Sequence, residues 1–198
     1  MIRCGLNVNR RGISLVVLIG LDLSMSNVGI SLWSIATKEC LKLIVLSSQP
    51  KRVRLLNDTN VVSAYKIMHV ATDNIANACY IAQVMIDVLK DYNISLIVIE
   101  DYAYTMFKSL NTAEFTGVVK YLLQLHICRD IIPVSVSTVK KFATTNGRAS
   151  KDLVVDKFLI DIGISIDHDK TIFYDIADAY FIGKYAIQNL VCMSTIKT

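Results

Sequence analysis

Four acidic side chains stand where a purely structural protein has little use for a charge. Asp22 follows the most hydrophobic run of the chain, and Glu100 closes a second apolar run. Asp175 and Asp178 are three residues apart, which places both on one face of a helix. Burying a lone carboxylate is costly unless it holds a proton or meets a positive charge. A shared cation would offset all four charges, so the pattern predicts a metal site.

The chemistry of such a site follows from its ligand atoms. Ligands that are all carboxylate oxygens suit Mg²⁺, with Mn²⁺ as a substitute. Two such ions about 4 Å apart activate water and stabilise the leaving oxygen in phosphodiester hydrolysis. Taken singly, each acid also has a structural explanation, as a turn cap, a lysine partner or the start of a helix. The coincidence of all four with strand ends and one helix face favours the metal site.

The elements that carry these acids follow from the hydrophobic pattern. Short apolar runs predict five β-strands, at residues 15–21, 28–35, 41–46, 95–100 and 131–136. Helical periodicity and caps predict five helices, at roughly residues 62–92, 111–127, 138–144, 151–162 and 172–189. Residues 47–60 have the composition of a loop. The prediction is an α/β fold with a five-stranded mixed sheet, an antiparallel meander followed by parallel strands, flanked by helices.

Composition narrows the class of protein. Of 198 residues, 53% are hydrophobic and 19% are charged. This composition is too apolar for a disordered chain, and charged residues interrupt the apolar sequence too often for a membrane protein. The formal net charge of +4 permits nucleic-acid binding without demanding it. Arg10 and Arg11 precede an apolar run that imitates a secretory signal, but the run is too short to span a bilayer. Five cysteines without a C-x-x-C pair favour reduced thiols in a reducing, intracellular compartment.

No repeat, charge block or linker divides the chain. We therefore expect an N-terminal extension over residues 1–12, a single domain over 13–190 and a C-terminal tail over 191–198.

Four segments together resemble the RuvC family of Holliday-junction resolvases. They are LIGLDLSMSNVGISLW, LIVIEDYAY, PVSVSTVKKFATTNGRASKD and FYDIADAYFIGKYA. The similarity spans roughly residues 17–188 and is best with the RuvC-like resolvases of phages. The motifs D-x-S-x-x-x-x-G and D-x-x-D are weak alone. They become fairly specific in this order, with a strand-borne Glu and the VKKFAT segment between them.

The resemblance implies an RNase H-like nuclease domain and a homodimer that cuts two opposed strands of a four-way DNA junction, as in recombination and repair. It implies two metal ions per active site, held by four catalytic acids: Asp22, Glu100, Asp175 and Asp178. It also matches Lys140 and Lys151 to basic residues near the scissile phosphate. Two features depart from the family. Asp101 stands where related phage proteins have a small residue, and residues 47–73 look extra or rearranged.

Further side chains are candidates for contact with DNA. Lys141 and Arg148 join Lys140 and Lys151 in a basic group that suits a phosphate backbone. Three aromatic residues and a lysine follow Glu100, namely Tyr102, Tyr104, Phe107 and Lys108. Aromatic rings there can stack on unpaired bases, and the resemblance implies that one of them acts as a wedge at the junction centre. Each of these residues also has a plain explanation, as an exposed lysine or a loop anchor.

The leading hypothesis is a Mg²⁺-dependent endonuclease that resolves four-way junctions by in-line attack of water, leaving a 5′-phosphate and a 3′-hydroxyl. Its partners would be branched DNA and a second copy of the chain, with no membrane. One alternative keeps the chemistry and broadens the substrate to flaps, forks, three-way junctions or RNA in hybrids. The other is a non-catalytic junction-binding module on the same fold. The presence of all four acids argues against that module.

Overall fold

The computed structural model describes residues 15–59, 61–68, 73–101, 110–165 and 169–191. Six β-strands within these ranges form one sheet, and they are β1 (Val16–Leu23), β2 (Asn27–Ser34), β3 (Cys40–Ser47), β4 (Val62–Lys66), β5 (Asn93–Glu100) and β6 (Ile131–Val134). Six α-helices accompany them, and they are α1 (Pro50–Asp58), α2 (Asn74–Leu89), α3 (Leu110–His126), α4 (Val136–Thr144), α5 (Lys151–Ile162) and α6 (Tyr174–Asn189). A short 3₁₀ helix, Lys170–Phe173, leads directly into α6.

The strand order is β4-β3-β2-β1-β5-β6. Strands β1, β2 and β3 form the predicted antiparallel meander, and β5 and β6 run parallel to β1 as expected. The mixed α/β architecture is therefore confirmed. The prediction of five strands is wrong, because β4 adds a sixth strand parallel to β3 at the sheet edge.

The sixth strand comes from the segment that was predicted least well. Residues 62–92 were expected to form one helix, but they begin with β4, and α2 starts only at Asn74. Val62 and Ala64 are buried on the sheet, so the alternation of a strand prevails there over helical periodicity. Residues 47–60 were expected to form a loop, but they contain α1, which begins at Pro50. Proline suits the first turn of a helix, where its missing N–H costs no hydrogen bond.

Alternation along the central strands decides which side chains face α6. Val17, Ile19 and Leu21 of β1 belong to the core beneath α2 and α3. Leu18 belongs to the opposite core, which α5 and α6 share. Successive strand residues point to opposite faces, so Asp22 lies on the same face as Leu18, the face that α6 covers.

Helix α6 lies unusually close to β1 and β2, because small residues line the strands beneath it. Gly20 and Gly29 leave no room for a Cβ between the strands and the backbone of α6. The Ser31 hydroxyl donates a hydrogen bond of 2.6 Å to the Ala179 carbonyl. Trp33 Nε1 in turn donates to the Ser31 hydroxyl at 3.0 Å. Direct contact between backbones therefore fixes α6, and the acids it carries, over the ends of the strands.

Cys40, Cys79 and Cys128 are free thiols, whereas Cys4 and Cys192 lie outside the described residues. The predicted extension, residues 1–12, also lies outside them. No helix in the described ranges is long and apolar enough to cross a membrane.

Candidate metal centre

Three of the four predicted acids come together at one end of the sheet. Asp22 is next to last in β1, Glu100 ends β5, and Asp178 lies in the second turn of α6. Strands β1 and β5 are parallel with Leu21 opposite Ile99, so the two strand acids occupy neighbouring positions. Carboxylate oxygens of the three residues lie within 4.8 Å of one another. Within the described ranges, no other group of three His, Cys, Asp or Glu side chains is so arranged.

The electrostatics of this cluster favour a positive charge among its acids. Burial raises the pKa of Asp22 well above its ordinary value, and the nearby carboxylates of Asp178, Glu100 and Asp175 raise it further. Burial also raises the pKa of Asp178 to about 6, although Lys151 and Lys140 pull it down. Asp22 and Asp178 therefore hold their protons more tightly than an ordinary aspartate does, until a cation compensates the cluster.

The raised pKa of Asp178 predicts how the metal-free protein responds to pH. An unfolded Asp titrates near pH 4, so between about pH 4 and 6 the folded state binds more protons and loses stability as the pH rises. Asp178→Asn removes this titration. We expect its melting temperature in EDTA to exceed that of wild type by roughly 5 °C at pH 7 and by much less at pH 4. A difference that stays constant from pH 4 to 7 would contradict the raised pKa.

Asp175, the fourth predicted ligand, has a different neighbour. Its Oδ2 lies 2.5 Å from Nη1 of Arg52, and both side chains are largely buried. Sequence reasoning missed Arg52, which it placed in a loop. A signal was present, because Arg52 and Leu56 are four residues apart and share the buried face of α1. The role of Asp175 as a metal ligand therefore stays a prediction.

The two predicted catalytic lysines lie within electrostatic reach of the cluster, since both lower the pKa of Asp178. Lys140 Nζ donates a hydrogen bond of 2.9 Å to the Ala149 carbonyl, which ties α4 to the turn before α5. Lys151 is exposed at the first residue of α5, with its Nζ 5.4 Å from the centre of the Tyr174 ring. The structure thus places one fixed ammonium group and one exposed one beside the acids.

The remaining candidates for DNA contact divide into two groups. Lys141 and Arg148 are exposed on the segment between Lys140 and Lys151. The other four, Tyr102, Tyr104, Phe107 and Lys108, lie outside the described residues.

The residues present fit a divalent cation. The cluster offers only carboxylate oxygens, from three different elements, in one partly buried place. Hard cations such as Mg²⁺ and Mn²⁺ prefer these ligands, and one such ion would offset the burial and the repulsion that raise the pKa of Asp22.

Comparison with known proteins shows which solved structures share this fold. No protein-family model matches the chain, and no curated protein sequence matches it. Among solved structures, RuvC of Thermus thermophilus matches with a TM-score of 0.58 and 16% identity, covering 90% of this chain and 97% of RuvC. The structure of T. thermophilus RuvC in complex with a Holliday junction substrate gives the same TM-score at 14% identity, covering 88% of this chain and 96% of that one. The chain therefore has a RuvC-like fold, with its cluster of acids at one end of the central strands.

Proposed function

We propose that this protein is a divalent-metal-dependent endonuclease that resolves four-way DNA junctions. The observation that carries the proposal is the cluster of Asp22, Glu100 and Asp178 on a RuvC-like fold. A solved RuvC of this fold is bound to a Holliday junction, which supports branched DNA as the substrate class. We further propose that the protein acts as a homodimer inside cells, because opposed cuts in a two-fold junction need two active sites.

The three carboxylates of the proposed metal site come from two strands and one helix. Asp22 and Glu100 extend from rigid, paired strands, and Asp178 approaches them from α6. These three residues would hold Mg²⁺ or Mn²⁺, which would polarise the scissile phosphate and lower the pKa of the attacking water. Rigid placement of the carboxylates matters, because in-line attack needs the water, the phosphorus and the leaving oxygen in one line.

The basic residues beside the cluster suit the phosphate. Lys151 and Lys140 lie close enough to Asp178 to affect its titration. We propose that Lys151, which is exposed, stabilises the negative charge that builds up on the phosphate oxygens during attack. Lys140 is bound to the Ala149 carbonyl, so we propose that it also holds the turn from which Lys151 projects. Lys141 and Arg148 extend this surface and would contact the flanking backbone.

Cleavage of a panel of labelled DNA substrates tests the proposal. The panel contains a mobile four-way junction, a three-way junction, a flap, a fork, a linear duplex and an RNA–DNA hybrid, each with Mg²⁺ or with EDTA. We expect paired, symmetric nicks in the four-way junction, ends with 5′-phosphate and 3′-hydroxyl, and no cutting in EDTA.

Two other outcomes would change the proposal. Equal cutting of flaps, forks and three-way junctions would keep the chemistry but make the protein a general debranching nuclease. Tight junction binding without cutting in Mg²⁺ or Mn²⁺ would make it a binding module.

A further inference from the structure

Arg52 is a buried cation of α1, and its side chain reaches the start of α6. Its side chain is only 7% exposed. Its Nε and Nη2 donate hydrogen bonds of 3.0 and 2.7 Å to the Ile172 carbonyl, and its Nη1 lies 2.5 Å from Oδ2 of Asp175. One guanidinium group therefore binds both the 3₁₀ helix that leads into α6 and the first turn of α6.

The ion pair between Arg52 and Asp175 is costly to break because it is buried. A buried guanidinium group carries a positive charge that needs a counter-ion. Breaking a buried ion pair leaves an uncompensated charge, which is strongly destabilising. Asp175 is the only acid that an ion pair joins to Arg52 within the described residues. If the Asp175 carboxylate bound a metal ion instead, the buried charge of Arg52 would lose its counter-ion.

The other three acids do not share this arrangement. Asp22, Glu100 and Asp178 form the cluster whose oxygens lie within 4.8 Å of one another, and Asp175 is not a member of it. The effect of Asp175 on the pKa of Asp22 is smaller than the effects of Asp178 and Glu100. Geometry thus separates Asp175, whose charge Arg52 neutralises, from the three acids that share one cluster.

We infer that Arg52 is a positioning residue that holds Asp175 outside the metal-binding group, so that the ions bind through Asp22, Glu100 and Asp178. Asp175 then acts as the anchor that Arg52 uses to hold the start of α6 against α1. Residue Asp178 follows one turn later, so this anchor sets the position of a metal ligand. The inference rests on the proposed metal site and not on the choice of DNA substrate.

Calorimetric titration with Mn²⁺, without DNA, tests the inference. The decisive variant is the double change Arg52→Met with Asp175→Leu, which removes both charges and keeps side chains of similar size. We expect it to bind as many Mn²⁺ ions as wild type, with affinity within about fivefold. Asp178→Asn is the matched control, and we expect its affinity to fall by about tenfold or more because a ligand is lost. Loss of an ion in the double variant would overturn the inference.

The single change Arg52→Met tests whether Arg52 keeps Asp175 out of the metal-binding group. It leaves Asp175 charged and without its arginine, beside the cluster. We expect Mn²⁺ to bind more tightly than to wild type, or one further ion to bind, because the freed carboxylate can then serve as a ligand. Unchanged Mn²⁺ binding in this variant, with the fold intact by circular dichroism, would contradict a positioning role for Arg52.

A further variant, Asp175→Asn, tests the inference if the double variant does not fold. It keeps a side-chain oxygen that can accept a hydrogen bond from Arg52 Nη1. We expect it to bind as many ions as wild type, and one ion fewer would overturn the inference while leaving the proposed function intact. Absence of Mn²⁺ binding by the wild-type protein would overturn both.

Discussion

Changing Asp22 to Asn, or Glu100 to Gln, is expected to slow junction cleavage about a thousandfold or more, equivalent to roughly 4 kcal/mol of transition-state stabilisation. A carboxamide has nearly the shape of a carboxylate but carries no charge. Each change removes one of three ligands from the cluster and keeps the packing of its strand. The measurement is the single-turnover rate on a labelled four-way junction at saturating protein and fixed salt.

Binding should separate from cleavage in these variants. In the proposed function, contact with DNA depends on exposed cations such as Lys141, Arg148 and Lys151, which the two changes leave in place. We expect junction affinity in EDTA to stay within about threefold of wild type, because phosphate contacts dominate it. Weak cleavage together with weak binding would show instead that the strand acids shape the DNA surface.

Asp101→Asn provides a matched control for Glu100→Gln. Asp101 is the next residue in the chain and its side chain is exposed, while alternation turns it away from the cluster. We expect this variant to cut the junction at close to the wild-type rate. Full cutting by both Asp22→Asn and Glu100→Gln would remove these residues from the proposed metal site.

The placement of the strand acids could be predicted because local rules decide it. Two central strands of apolar residues each end near an acid, and parallel neighbours bring such ends to one edge of a sheet. The i, i+3 spacing of Asp175 and Asp178 was enough to predict one helix face. Nothing in that spacing tells which of the two carboxylates approaches the strands, because that depends on how α6 is rotated against the sheet.

The edge of the sheet and the arginine could not be predicted in the same way. Strand β4 has five residues, with only two of them fully buried, so its alternation is too brief to outweigh the helical pattern that follows. Arg52 contacts Ile172, which is 120 residues further along the chain. A hydrogen bond between such distant residues depends on the tertiary fold, so the composition around Arg52 predicts only a basic loop.

Gly29→Ala is expected to have the largest effect on the fold. An added Cβ at this position would lie 2.1 Å from the Asp175 carbonyl oxygen and 2.6 Å from its carbon. Both contacts are with backbone atoms, so neither can be relieved by turning a side chain, and α6 must move away from β2. We expect a loss of about 3 kcal/mol or more in the free energy of unfolding, at the upper end of overpacking effects. Urea denaturation measures this loss.

The same substitution should also disrupt the metal centre, since Gly29 lies opposite Asp22 in the register of β1 and β2. Moving the start of α6 draws Asp178 away from Asp22 and Glu100, so Mn²⁺ affinity should fall together with stability, even under conditions where the variant is folded. Gly117→Ala is the matched control, because its Cβ meets nothing within 4 Å in the middle of α3. That control should gain up to about 1 kcal/mol from helix propensity and bind Mn²⁺ like wild type. If Gly29→Ala matched the control in both measurements, α6 could not rest on β2 at this distance, and the geometry that brings Asp178 to the strand acids would be wrong.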